Sequence, residues 1–232
     1  NALLLNTTGD SNTAVGMQAL DANTTADNNT AVGYLALSTN TTGSALTAIG
    51  AAALDANTTG IDSTAVGVSA LSENTTGNYN VAVGRVALLH NTTASNNTAV
   101  GFSAGEFATT ADNSTFVGFQ AGQGITGVKL TGDNNTAVGK DAGLLLQGAA
   151  ANNTLVGALA GDAITTGGSN TAVGQASLTT LTTASYNTAM GLNSGLVLTT
   201  GEDNTLIGVS AGTALTTGTL NVAVGRNALS SG

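Results

Sequence analysis

A five-residue unit reading Asn-Thr-Ala-Val-Gly, with conservative variation, returns thirteen times along the chain, and no other feature restricts the fold as tightly. Its closing glycines are Gly16, Gly33, Gly50, Gly67, Gly84, Gly101, Gly118, Gly139, Gly157, Gly174, Gly191, Gly208 and Gly225. Successive glycines lie 17 residues apart, except for 21 between Gly118 and Gly139 and 18 between Gly139 and Gly157. A fixed period of this kind marks a solenoid, in which each coil buries its apolar side only by stacking on its neighbours. So short a coil has no room for a helix plus strands and suits two short strands joined by turns. Helix is further disfavoured by the glycine density, by pairs such as Thr24-Thr25, and by the lack of a 3.6-residue period. The expectation is an all-β, parallel β-solenoid (β-roll) of about 13 coils. It forms one repeat array over residues 1–232, with irregular longer loops within 119–152.

The columns of the repeat differ in what they tolerate. Before each closing Gly stands an aliphatic residue or Met, from Val15 and Ile49 to Met190 and Val224. Two residues earlier stands Thr, replaced only by Val81 and Val222. These columns share one face of a strand, because side chains alternate. Exchange of Thr with Val indicates an apolar, β-branched requirement, which assigns this face to the interior. The Ala column between them, enlarged at Phe116, Leu155 and Leu206, then points outward and needs a covering partner. Asn opens most units, with Leu46, Ser63 and Ser114 as exceptions, and stacked Asn side chains can bond from coil to coil.

Past the closing Gly, a small residue three positions on (Ala19, Ala36, Ser194) suggests a close approach of backbones. In the early units that residue is followed by Leu20, Leu37, Leu54, Leu71 or Leu88, with Asn23, Asn40, Asn57, Asn74 or Asn91 three residues later. From the sixth unit Gly usually replaces the Leu, as at Gly105, Gly122, Gly143 and Gly161. The later Asn then becomes Ala108, Ile125, Leu146 or Ile164. Both positions therefore reach the same interior space, although Leu178 and Leu181 occupy both together.

Composition narrows the function. Charged residues make up 7% and hydrophobic ones 41%, which is the reverse of a disordered chain. Thirteen acids against Arg85, Lys129, Lys140 and Arg226 leave a formal charge of −9, which disfavours nucleic acid as a partner. The chain has no stretch of about 18 consecutive apolar residues, so direct insertion of this segment as a membrane helix is not expected. Coils so thin have little core of their own, which favours several rolls packed side by side. Capping units, usual at solenoid ends, are not visible, so the segment is expected to belong to a longer fibre or to stack end to end.

Little in the chain resembles catalytic or cofactor chemistry. With His90 as the sole histidine, neither a His-based metal cluster nor a conventional catalytic triad can assemble in one chain. The expectation is a non-enzyme with no cofactor and no metal site, His90 lying in a solvent-facing turn. Recurrent acids at Asp10, Asp27, Asp112, Asp133 and Asp203 suit turn-stabilising carboxylates better than a calcium cage. The longer loop carrying Val128, Lys129 and Leu130 is the candidate receptor-facing site, because insertions in solenoids map to surface loops.

The Asn-Thr-Ala-Val-Gly unit followed by a small residue resembles the head repeat of trimeric autotransporter adhesins, and similar repeats occur in phage tail fibres. The resemblance extends from Asn1 to Gly232, although the 17-residue period is longer than the usual head repeat. It implies a left-handed roll and a homotrimer at an extracellular position, on a cell surface or in a virion fibre. It also implies attachment to a host-cell receptor, glycan or matrix protein. The expected function is a structural, adhesive fibre segment. An ice-binding solenoid, suggested by the Thr columns, and a self-assembling filament subunit are the alternatives.

Overall fold

The computed structural model describes residues 1–230 and is a parallel β-solenoid with one three-residue strand in each coil. No helix occurs among the described residues. The chain divides into two compact units, Asn1–Asn113 and a second beginning at Ser114. The first holds β1 (Thr13–Val15), β2 (Thr30–Val32), β3 (Thr47–Ile49), β4 (Thr64–Val66), β5 (Val81–Val83) and β6 (Thr98–Val100). The second holds β7 (Thr115–Val117), β8 (Thr136–Val138), β9 (Thr154–Val156), β10 (Thr171–Val173), β11 (Thr188–Met190), β12 (Thr205–Ile207) and β13 (Val222–Val224). Within each unit consecutive strands pair in parallel with like columns aligned, for example Thr30 with Thr47 and Val173 with Met190. The four extra residues between Gly118 and Gly139 leave that alignment intact, because Thr115 still pairs with Thr136.

The expected second strand is absent. Its stretch is joined to the next coil by backbone bonds, such as Leu54 N–H to Ala70 O (3.1 Å) and Thr58 N–H to Thr75 O (2.9 Å). However, Leu54 has φ of +51°, as its column mates do within a few degrees, and left-handed residues turn the chain instead of extending it. Each coil is thus one strand closed by a run of turns.

The direction of the strand faces reverses the sequence expectation. Ala31, Ala48, Ala65, Ala82 and Ala99 are fully buried, whereas the Thr and Val columns on either side are partly or well exposed. The Ala column lines the interior and the Thr/Val face looks outward. The cause is the thinness of the coil: strand and opposing turns lie so close that the leucines of the turn fill the space and leave room for only a methyl group. Where the Ala column is enlarged, the turn gives way. Phe116 faces Gly122, where an added Cβ would run into the Phe116 ring. At Gly212 an added Cβ would lie 2.7 Å from Leu206 Cδ1, and at Gly161 2.8 Å from Leu155 Cδ2.

The shared filler space is as the sequence indicates. Leu20 to Leu88 of the first unit are fully buried, as are Leu146, Ile164, Leu181 and Leu198 of the second. A Cβ on Gly143 would lie 2.8 Å from Leu146 Cδ1, so the later aliphatic enters the volume that Leu occupies in the first unit. The exchange also relieves the backbone. Leu at this position adopts φ near +50°, a conformation disfavoured for side-chain-bearing residues, while Gly adopts it freely. The closing glycines answer a second need: Gly67 has φ of +137°, and a Cβ there would approach Gly84 O to 2.5 Å.

Buried amides hold the coils in register. In the column preceding the strand, Asn170 N–H donates to Asn153 Oδ1 (3.0 Å), and Asn170 Nδ2 donates to Ala184 O (2.9 Å). Asn187 N–H in turn donates to Asn170 Oδ1 (3.0 Å). A second ladder is confined to the turns of the first unit, where Asn57 Nδ2 donates to Asn40 Oδ1 (2.8 Å) and Asn74 Nδ2 to Asn57 Oδ1 (3.0 Å). In the second unit its place is taken mostly by the aliphatic fillers.

Candidate interaction surface

The outward sheet face is the most distinctive surface of each unit. Its β-branched columns stand in register because the backbone ladder fixes them, with bonds such as Thr47 N–H to Ser63 O (3.0 Å) and Gly50 N–H to Val32 O (2.8 Å). Neither column contains a charge. Val15, Ile49 and Val100 are exposed in the first unit, as are Met190, Ile207 and Val224 in the second. Beyond the closing Gly a third exposed column adds Met17, Tyr34, Val68 and Phe102, then Phe119, Leu192 and Val209. Arg85 belongs to that column, its guanidinium 5.8 Å from the centre of the Phe102 ring. Scattered exposed apolar residues are ordinary, whereas contiguous apolar surface marks a site of interaction.

The inserted loop divides the expected site. Val128 and Lys129 are exposed, whereas Leu130 is completely buried and is therefore no receptor-facing residue. Its register explains why. Thr131 Oγ1 donates to Gly148 O (3.0 Å), repeating the bond from Thr92 Oγ1 to Thr109 O (3.2 Å). Leu130 consequently takes the filler position, and Ile125, expected there, is displaced and only half-buried. The extra residues form a tight turn closed by Val128 N–H to Ile125 O (3.0 Å), with Gly127 at φ of +82°. Thr126 to Lys129 are the exposed part of the insertion.

His90 is not a free turn residue. Its Nδ1 lies 2.9 Å from Glu73 Oε1, and its ring stacks on Phe107 with centroids 4.8 Å apart. The three side chains occupy one column on consecutive coils, so the contact ties coils together. Two of the recurrent acids serve similarly: Asp27 Oδ1 accepts from Asp10 N–H (2.7 Å) and Asp112 Oδ1 from Ser95 N–H (2.7 Å). These bonds run between coils, where the sequence suggests a local turn. Among the described residues, no three His, Asp or Glu side chains converge as a metal-binding group would require.

One carboxylate is perturbed. Burial raises the Asp162 carboxyl above its ordinary value, and neighbouring Asp141 adds to the shift. Opposing it is a hydrogen bond donated by the Thr179 hydroxyl to Asp162 Oδ1. Asp141 is itself paired with Lys140 Nζ at 2.9 Å. No protein-family model, curated protein or solved structure matches the chain.

Proposed function

We propose that the chain is a rigid, non-enzymatic segment of an extracellular attachment fibre, assembled as a homotrimer through the Thr/Val sheet face. The observation that carries this reading is the uncharged double column of outward residues on every described strand, β-branched except at Met190 and at least partly exposed. A sheet face of this composition gains by leaving water: each fully buried Val or Ile side chain contributes about 1.5–3 kcal/mol relative to exposure. Identical copies cover it most simply, because like repeats present matching surfaces. The surfaces remaining outside would carry attachment to a receptor, glycan or matrix protein, and the turn at Thr126–Lys129 is the largest departure from regularity there. The test is solution mass as a function of concentration. A species of about three times 22.3 kDa is expected, and a chain that stays monomeric up to high micromolar concentration would contradict the reading.

A second reading draws on the same observation. A regular array of Thr hydroxyls and Val methyls, repeated coil by coil and uncharged, is also suited to ordering water as ice does. Thermal hysteresis by the monomer, abolished by replacing Thr64 and Thr171 with Lys, would support it in place of the fibre. Its absence would remove the ice-binding reading.

A further inference from the structure

The charges of the chain are sorted across the sheet face. Three of its four bases, Arg85, Lys140 and Arg226, occupy the column directly after the closing Gly, and none of the thirteen acids does. At the other margin lie the two positions five and six residues before the closing Gly. These hold seven of the thirteen acids and no base. In the first unit the acids are Asp10, Asp27, Asp62 and Asp112, and in the second they are Asp133, Glu202 and Asp203. The first unit thus has an uncharged strip with a single base, Arg85, where its strands end and acids where they begin, and the second sets Lys140 and Arg226 against Asp133, Glu202 and Asp203. The rim residues face solvent: Arg85, Arg226, Asp62, Glu202 and Asp203 are all exposed.

We propose that copies of the chain close into a ring with parallel axes, the basic rim of each copy set against the acidic rim of the next. The inference rests on the reading of the Thr/Val face as the surface that copies share, and it adds the order in which they meet. In a closed ring of three or more copies every contact is heterologous, so one margin of a copy always meets the opposite margin of its neighbour. Opposite charge on those margins is what such a ring requires, whereas a face-to-face pair with antiparallel axes would set like margins, and so like charges, together. The heights agree. Lys140, which also pairs with Asp141 of its own chain, follows the strand that Asp133 precedes, whereas Arg85 lies one coil from Asp62 and Arg226 one coil from Glu202 and Asp203. A coil spacing of about 4.8 Å keeps those offsets within the reach of an arginine. Rim charges act mainly on partner choice and encounter rate, so their role here is register and direction.

Charge reversal tests this by sedimentation of the purified chain. Arg85→Glu with Arg226→Glu should raise the midpoint concentration of assembly at least about tenfold at low salt. Adding Asp62→Lys, Glu202→Lys and Asp203→Lys to the same chain should restore it to within about threefold, because the rims are then exchanged. Circular dichroism checks that the variants fold. As a measurement that needs no variant, raising salt from about 0.05 to about 0.5 M should slow association of the parent chain. If the parent assembles but neither reversal nor salt changes its assembly, the ring order is wrong while the shared face stands. A parent that remains monomeric removes the face and the ring order together.

Discussion

At the residue scale, Asn91 marks where a polar ladder stops. The next coil offers Ala108 in its place, and both Asn91 side-chain atoms are buried without a hydrogen-bond partner. An amide in that condition costs about 1–3 kcal/mol. Asn91→Leu should therefore stabilise the protein by about that amount in chemical denaturation. The coil holding Leu178 and Leu181 shows that both filler positions accept Leu together. Asn170 is the opposite case, since its amide is bonded to the strands on both sides. Asn170→Ala should destabilise by about 1–3 kcal/mol in the same assay. Asp162 supplies a pH dependence. Its raised affinity for the proton in the fold means that the folded form stays protonated to higher pH than the unfolded chain. Its contribution is present in acid and lost as pH rises through that window. Asp162→Asn should raise the melting temperature at neutral pH, with the difference vanishing once the parent carboxyl is protonated in both states.

At the scale of one coil, the strand and the turn opposite it share one small volume. Leu88→Gly should cost about 2–5 kcal/mol by emptying it. The double variant Leu88→Gly, Asn91→Leu should be more stable than the sum of the two single changes, because it recreates the arrangement of Gly161 and Ile164. Strict additivity of the two changes would contradict a shared space. This exchange was legible in the sequence as Leu moving three residues along the repeat, and so was the Asn ladder. Which strand face is buried was not. Thr and Val at alternating positions suit the inside of a sheet and its outside equally, and the coil thickness that decides between them is a property of the folded turn. One signal pointed the right way: the large residues of the Ala column, Phe116, Leu155 and Leu206, are each followed six positions later by glycine, at Gly122, Gly161 and Gly212. Only residues packed against each other need such compensation. The burial of Leu130 is hidden for a related reason, because the inserted residues offer both Ile125 and Leu130 as filler and only the Thr131 bond to Gly148 decides between them.

For the whole molecule, an interior lined by Ala and filled by about one large aliphatic per coil is a small core for each unit. The exposed Val, Ile and Met of the sheet face are the apolar surface left to add to it. The most direct test of that face uses the absence of cysteine from the chain. Single variants Val173→Cys, on the face, and Thr59→Cys, on an exposed turn, are labelled with a thiol reagent over a range of protein concentrations. Val173→Cys should react in dilute solution and become strongly protected as the chain assembles, while Thr59→Cys reacts at every concentration. Reaction of Val173→Cys at one rate throughout would contradict a covered face, and protection persisting in the dilute monomer would contradict its outward direction.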